Sequence, residues 1–291
     1  MDAQKATTTV TRMARLLGVS RSGFYAWAAR EAAGPSPAQT RREALTVKIA
    51  EFYAASQNTY GCPRILADLR EAGERVSRKT VAKTMAAAGI VGISPRKFTP
   101  LTTLAGPDLA PVPDRVGRVF DRGRVDAVWT SDITYLGTGQ GWLYLCAVRD
   151  ACSRRVIGWA IEDHMRADLV EAALRMAVTL RGTPPAQVIF HADRGTQYTS
   201  SQIAAVAAEL DVLQSMGRTG VCWDNAPAES FWSTFKTEFY DRSHWPTKAE
   251  AKLASGRWIE ERYNRHRRHS SIGMLTPVRF EQLQAQTATA A

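Results

Sequence analysis

Cysteine is scarce in this 291-residue chain: Cys62, Cys146, Cys152 and Cys222 form no CxxC pair and hold no regular spacing to histidine. That argues against a disulfide framework and against a structural zinc site, leaving reduced thiols as the expectation. No stretch approaches the roughly 18 consecutive apolar residues of a membrane span, and Met1 to Val10 lacks the apolar core of a secretory signal. No sustained heptad precedes Pro35, so no coiled coil is expected there. Apolar residues at 45 % and charged ones at 23 % exclude wholesale disorder and fibrous architectures. A cytoplasmic, non-membrane protein of two or three domains is expected.

What is abundant is positive charge, and its distribution carries information. The net charge is +10, but residues 1 to 113 hold 16 Lys/Arg against 8 Asp/Glu and residues 241 to 291 hold 9 against 5. The middle, 114 to 240, holds 13 against 15. Basic flanks around a mildly acidic centre suit a protein that grips a polyanion with its ends and does metal chemistry between them. The plainer alternative is a set of solvated, Lys/Arg-rich helices.

Two N-terminal stretches share a plan. TRMARLLGVSRSGFYAWAAR (11 to 30) reads as a helix with Met13, Leu16 and Leu17 inward, a turn at Gly18, and a second helix from Ser20 offering Phe24, Tyr25 and Trp27 for packing. PRILADLREAG (63 to 73) and VSRKTVAKTM (76 to 85) repeat the layout, with Ser77 as N-cap. Helix, Gly-containing turn, Ser cap and a basic second helix form the layout of a helix-turn-helix DNA reader, in which Arg78, Lys79 and Lys83 would face phosphates or base edges.

After Lys97 the stretch FTPLTTLAGPDLAPVP has little periodicity and reads as a linker. Short apolar runs follow at 128 to 136, 141 to 148 and 154 to 161, separated by tight turns, which predicts an antiparallel meander. A helix (166 to 182), a buried strand (186 to 193) and another helix (200 to 212) come next. That order predicts an α/β fold: a mixed sheet with helices against it, as in ribonuclease-H-like proteins, although order alone leaves other α/β folds open. The chain divides into helix-turn-helix regions at 1–34 and 40–98, a Pro-rich linker at 99–124, a core at 125–245 and a basic helical extension at 246–291.

Three acids stand out. Asp132 lies within a strand of β-branched and aromatic residues, where Asp is disfavoured. Asp193 ends the apolar strand VIFHAD, and Glu229 falls in the first turn of a helix that begins around Pro227. Singly, each has a dull explanation as a hydrogen-bonded strand Asp, a turn former or a helix-start acid. Together they suit phosphoryl transfer, which needs carboxylates converging on two divalent ions about 3.5 to 4 Å apart. An all-oxygen donor set points to Mg²⁺, with Mn²⁺ possible. Lys236, two helical turns beyond Glu229, shares its face and could hold a phosphate; a solvated surface Lys is the alternative. Phe231, Phe235 and Phe239 supply an apolar stripe toward the sheet.

W-T-S-D-I-T-Y around Asp132, H-A-D-R-G-T-Q-Y-T-S around Asp193 and W-D-N-A-P-A-E-S-F-W-S-T-F-K around Glu229 resemble the signatures of DDE transposases of the retroviral-integrase superfamily. The likeness is to the second-reading-frame product of bacterial insertion sequences and extends over nearly the whole chain, including G-V-S-R-S-G-F-Y-A-W, Y-G-C-P-R-I and Y-N-x-R-H-R-R-H-S-S-I-G-M-L-T-P. The 35 residues between Asp193 and Glu229, and a Lys seven beyond Glu229, fit that family. The resemblance implies a ribonuclease-H-like core with a mixed five-stranded sheet, preceded by all-α helix-turn-helix domains. It implies that Asp132, Asp193 and Glu229 ligate two Mg²⁺ ions and that the protein cleaves and joins DNA strands without a covalent protein intermediate. His191, Arg194, Gln197, Trp223 and Asn225 lie in the signatures, and Arg194 and Asn225 are expected at the DNA.

The segment ERYNRHRRHSSIGMLTP adds Arg262, Arg265, Arg267 and Arg268 with His266 and His269 interleaved; Arg265, Arg267 and Arg268 are expected to clamp phosphates. The His pair has no supporting thiol or carboxylate and is read as DNA contact, and QTATAA (286 to 291) as a frayed tail. In many such elements the active enzyme is a frameshift fusion with an upstream part carrying a leucine-zipper-like stretch, and this chain reads as the downstream product. No His/His/Cys/Cys zinc module of the retroviral group is present. Expected partners are double-stranded DNA (element terminal inverted repeats and target), a second copy of the chain, and the upstream-frame protein, in the nucleoid-associated cytoplasm of a bacterium. A non-catalytic DNA-binding regulator and a simple nuclease of the same fold are the competing readings.

Overall fold

A computed structural model describes residues 8–94, 112–182, 187–217 and 226–289, without side chains for Ala226, Ala288 and Thr289. The chain forms two compact units, Met1–Gly92 and Ile93–Ala291.

In the first unit, α1 (Val10–Leu16) and α2 (Arg21–Ala32) meet at a turn where Gly18 adopts φ +67°. The Ser20 hydroxyl caps α2 by accepting from the Gly23 N–H at 3.0 Å. Met13 and Phe24 are buried as the pattern requires, but Leu16 and Leu17 are 76 % and 63 % exposed rather than inward. The short α1 ends at Leu16, so only one turn of its face is covered.

The second helix pair acquires a partner that the sequence pattern did not reveal. α3 (Pro37–Ala55) begins with Ser36 as cap and Pro37 in its first turn. It packs on α4 (Cys62–Glu71) and α5 (Arg78–Ala87) around Ile49, Ile65, Leu69 and Val81, each fully buried. The result is a three-helix unit. Ser77 caps α5 by accepting from the Thr80 N–H at 3.1 Å, which starts the helix at Arg78. Arg78, Lys79 and Lys83 are all exposed.

The second unit is built on a five-stranded sheet in the order β3-β2-β1-β4-β5. β1 (Val128–Thr138), β2 (Gly141–Asp150) and β3 (Val156–Glu162) form the expected antiparallel meander. β4 (Val188–Ala192) pairs parallel with β1, and β5 (Val212–Met216) parallel with β4. The fifth strand begins at a position predicted to end a helix. α7 (Ser201–Glu209) stops earlier, and Asp211 turns the chain with φ 54°.

Side-chain alternation along β1 sends successive residues to opposite faces of the sheet. Trp129 and Ile133 join a core with α6 (Ala167–Arg181) and α7, whereas Leu136 joins a second core on the other face. That second core holds Phe231, Trp232 and Phe235 of α8 (Ala226–Glu238), and Trp258, Ile259 and Tyr263 from the chain beyond it. Asp132 is on the α8 side by the same alternation.

The segments read as linker and extension are bound into this unit where they are described. Val116 is buried with Val128 and Ile189, and the Arg115 N–H donates to Ser215 Oγ at 2.9 Å. α9 (Lys248–Arg257) runs into a π-helical stretch, Trp258–His266, whose Asn264 side chain bonds both the N–H and the C=O of Val156 at 2.9 Å. α10 (Pro277–Thr289) is fixed through Glu281, which receives Arg155, Arg181 and Ser153. The expected frayed tail at 286 to 291 is instead helical as far as Thr289, because Glu281 anchors the helix that carries it; the last two residues lie outside the described ones.

Candidate active site

Three elements bring the three acids to one place. β1 carries Asp132, the chain leaving β4 carries Asp193, and the first turn of α8 carries Glu229. The Asp132 carboxyl is pushed up to about 7, first by burial and then by the negative charge of Asp193, with Glu229 contributing in the same sense. Asp132 therefore lies within the field of both other acids. Burial also raises Glu229.

The Asp132 and Asp193 carboxylates are held from outside the group, and Glu229 through the turn that carries it. The Ile133 N–H donates to Asp132 Oδ1 at 2.8 Å, and the Trp232 indole N–H donates to Asp132 Oδ2 at 3.1 Å. Behind Asp132, Ser131 Oγ and the buried Tyr198 hydroxyl are 2.9 Å apart. Asp193 Oδ1 accepts from the Gly195 N–H at 3.0 Å, and a Cβ at Gly195 would sit 3.0 Å from that oxygen. Arg149, buried on β2, donates to the Pro227 carbonyl at 2.5 Å and so pins the turn of α8 that holds Glu229. Trp232, Tyr198 and Arg149 were not singled out from sequence. An Arg inside the apolar run GWLYLCAVRD was the available signal for one, and the spacing of three from Glu229 for another.

The other expected site residues divide. Lys236 is half-buried on α8, and nothing among the described residues pairs with its ammonium. Arg194 is half-buried and donates from Nε to the Gly217 carbonyl at 2.8 Å, bracing the Asp193 loop against the end of β5; Gln197 does the same toward the Met165 carbonyl at 3.1 Å. His191 is buried, its Nδ1 2.9 Å from Ser215 Oγ and its ring against Phe120, which makes it part of the sheet's packing. Asn225 and Trp223 lie outside the described residues.

Arg267 corrects an expectation. It is 4 % exposed, and its Nε and Nη2 donate to the two carboxylate oxygens of buried Glu238 at 2.7 Å each. A guanidinium committed in this way, with His269 buried beside it, holds α8 to the C-terminal segment rather than gripping DNA. Arg265 is exposed, and Arg268 is half-buried with Nη1 donating to the Met274 carbonyl at 3.0 Å.

A separate group, Glu162, Asp163 and His164 at the end of β3, presents ligand atoms within 4.8 Å of one another. Lys252 at 3.0 Å and Lys248 at 3.6 Å already neutralise its acids, and His164 approaches Asp168 at 3.6 Å. It is a surface ion-pair cluster, distinct from the three carboxylates.

Comparison with known proteins follows this geometry. Two family models described as integrase core domain match residues 123–222 and 210–277, and an HTH-like domain matches 40–98. A mixed sheet with acids on its first strand, after its fourth and on the helix that follows its fifth, in a chain matching those models, defines a metal-dependent, DNA-binding DDE-type transposase/integrase enzyme. Transposase InsF for insertion sequence IS3A of Escherichia coli (strain K12) is 36 % identical over 281 residues, 97 % of this chain and 96 % of that protein. A 31 kDa protein of insertion element IS600 from Shigella sonnei is 34 % identical over 276 residues, 95 % of this chain and 100 % of that one. The chain belongs to this family of bacterial insertion-sequence transposases. Among solved structures, the catalytic core domain of BIV integrase is 15 % identical, with a TM-score of 0.41 over 56 % of this chain and 99 % of that one. No helix among the described residues is long and apolar enough to cross a membrane.

Proposed function

We propose that the chain binds the terminal inverted repeats of an insertion element and catalyses DNA cleavage and strand transfer, with Asp132, Asp193 and Glu229 holding two Mg²⁺ ions. Mn²⁺ is expected to substitute. The observation that carries this reading is that β1, the chain leaving β4 and α8 carry three acids toward one another, with Trp232 of α8 bonded to Asp132; buried Asp132 faces the charges of Asp193 and Glu229, which a hard, oxygen-ligated cation relieves. Bound there, such ions supply activation of an attacking oxygen and stabilisation of a leaving one.

The protein's own part is positioning. Ile133 and Trp232 hold one oxygen each of Asp132, Gly195 holds Asp193, and Arg149 holds the start of α8. Lys236 offers its ammonium to a phosphate of the bound strand. Water attacks the phosphodiester at the element end, the P–O3′ bond breaks, and the freed 3′-hydroxyl then displaces an oxygen of a target phosphodiester in line. Neither step requires a nucleophilic side chain.

Segments before and after the core in sequence also bind DNA. In the 40–98 domain the exposed Arg78, Lys79 and Lys83 start the helix expected to meet the duplex. Residues 1–34 form a further helix-turn-helix, 99–124 a connection, 125–245 the catalytic core and 246–291 a basic extension whose Arg265 and Arg268 meet phosphate. Arg194 and Asn225 are read as contacts to DNA, as the resemblance implies. Joining two ends requires at least a dimer, with the upstream-frame protein as a further partner at the bacterial nucleoid. Sedimentation with end DNA should show complexes larger than 1:1.

The test uses labelled duplexes carrying the inverted repeats that flank the coding sequence, Mg²⁺, and wild type against Glu229→Gln. Wild type should form joined products, and the variant should bind without joining. Nicks without joining would identify a simple nuclease. Binding by both with reaction by neither, even with the upstream-frame protein added, would identify a DNA-binding regulator.

A further inference from the structure

The β1–β2 hairpin carries two large aromatics near its end, where a solvent-facing hairpin has no need of them. Tyr135 and Trp142 are 49 % and 58 % exposed, and their rings meet edge to face at 6.2 Å and 89°. They wall a groove of about 520 Å³ whose other side is formed by Lys236, Tyr240, Asp241 and Trp245.

Hydrogen bonds across the groove fix its shape. The Tyr240 hydroxyl donates to the Gly137 carbonyl at 3.0 Å, the Gly139 N–H donates to the Trp245 carbonyl at 2.8 Å, and the Trp245 indole donates to the Tyr240 carbonyl at 2.9 Å. Gly139 approaches Pro246 so closely that a Cβ would stand 2.6 Å from its carbonyl oxygen. Tyr240 and Trp245 are thus fixed, stacked on each other at 5.1 Å, while Tyr135 and Trp142 leave ring surface exposed before any ligand arrives.

The chemistry of the lining selects an occupant. Exposed aromatic faces beside one cation bind the π-face of a base whose phosphate the cation holds. Asp241 shares the lining with Lys236, so the groove is a poor channel for a run of phosphates. Lys236 lies seven residues beyond Glu229 on α8, about 10.5 Å along the helix axis. At about 3.4 Å per nucleotide in a stacked strand, that is roughly three base steps from the reacting centre.

We propose that this groove receives one unstacked base of the DNA strand, about three nucleotides from the reacting phosphodiester, packed on Trp142 and Tyr135 with its phosphate on Lys236. The proposal rests on the strand-transfer reading above. It adds a base subsite outside the carboxylate centre.

The experiment places 2-aminopurine, and in a parallel series an abasic residue, singly at the first five nucleotides on each side of the scissile bond in the same inverted-repeat duplexes. Wild type, Trp142→Ala, Tyr135→Ala and Trp142→Phe are compared for affinity and 2-aminopurine emission. One position should change emission with wild type and not with Trp142→Ala. Trp142→Ala should weaken binding of intact DNA roughly 5- to 150-fold, the range for loss of one base–aromatic stack, and leave binding of DNA abasic at that position unchanged. Trp142→Phe, which keeps a ring face, should bind nearly as wild type. If wild type joins ends while no position depends on Trp142, the groove proposal fails and the strand-transfer reading stands. If wild type neither binds nor joins these ends, that reading fails and takes the groove with it. Unchanged DNA affinity with lost capture of the upstream-frame protein by Trp142→Ala would assign the groove to a protein contact and overturn the proposal.

Discussion

The indole N–H of Trp232 donates to Asp132 Oδ2 at 3.1 Å, tying the helix that carries Glu229 directly to the carboxylate on β1. Trp232 is one helical turn from Glu229, so one side chain sets the distance between two of the three acids. Its ring is 7 % exposed and packs on Phe231 at 4.7 Å and Phe235 at 6.1 Å.

Trp232→Phe keeps most of that packing and removes the donor. A hydrogen bond to a charged group contributes about 1.5 to 3 kcal/mol, so joining is expected to fall roughly 10- to 100-fold with DNA affinity unchanged. Trp232→Ala should in addition lower stability by about 3 to 5 kcal/mol through the cavity it leaves. Single-turnover joining rates beside a denaturation curve separate the two effects. An unchanged rate in Trp232→Phe would show that the bond does not order the site.

Much of this was legible in the sequence because it is local. The strand runs, the Ser caps of α2 and α5 and the positions of the three acids all follow from neighbours within a few residues. β5 was hidden because Val212–Met216 is short and follows a helix without a Gly or Pro between them. α3 was hidden for another reason: its few inward residues, such as Ile49, are scattered among polar ones, and the helix packs only once α4 and α5 exist. Arg267 misled because an Arg-rich string looks alike whether its members face solvent or a buried acid. Glu238 lies 29 residues away in sequence, so only the fold reveals the pair.

Arg149 makes a second positioning prediction. Its Nη2 donates to the Pro227 carbonyl at 2.5 Å and its Nη1 to the Tyr263 hydroxyl at 3.5 Å, from a side chain buried beneath α8. Arg149→Met fills similar space but leaves the Pro227 carbonyl without this donor, at a cost of about 1 to 3 kcal/mol. For a unit of this size that corresponds to a fall in Tm of about 2 to 12 °C. Joining measured well below that Tm should fall further than the loss of folded protein explains, because the start of α8 loses its anchor. Loss of Tm with unchanged joining would make Arg149 a stability residue alone.

The C-terminal arginines should separate cleanly. Arg267→Ala takes the guanidinium away from the buried Glu238 carboxylate, which costs about 3 to 5 kcal/mol and should be seen as a large drop in Tm. Arg265→Ala should leave Tm within about 0.5 kcal/mol of wild type in stability. If Arg265 meets phosphate, its loss should reduce the slope of log affinity against log salt by about 0.9. Arg78→Ala, Lys79→Ala and Lys83→Ala are expected to behave like Arg265→Ala. A changed salt slope without thermal loss in Arg267→Ala would contradict the buried pair.

The coupled carboxylates set a pH dependence whose sign can be worked out. Asp132 titrates at about 7 in the folded chain against an ordinary 3.8, because burial and the charges of Asp193 and Glu229 oppose its ionisation. Between about pH 4 and 7 the folded state therefore binds a proton that the unfolded chain has released. That contribution to stability is fully present below pH 4 and is lost as pH rises through 7; the raised Glu229 acts in the same direction. A divalent cation at the site reverses the trend, since it must displace the Asp132 proton below pH 7 and finds the carboxylate ready above it. Apparent Mg²⁺ affinity should thus fall about tenfold per pH unit below 7, the limit for one displaced proton. Thermal shifts with and without Mg²⁺ at pH 6, 7 and 8 measure this: the Mg²⁺-induced rise in Tm should be larger at pH 8 than at pH 6. Asp132→Asn, which cannot ionise, should be more stable than wild type without metal at pH 8 and should lose the Mg²⁺ response. An equal Mg²⁺ shift at pH 6 and 8 in wild type would mean that Asp132 is already ionised at pH 6, and that the three acids do not share a field strongly enough to demand a cation.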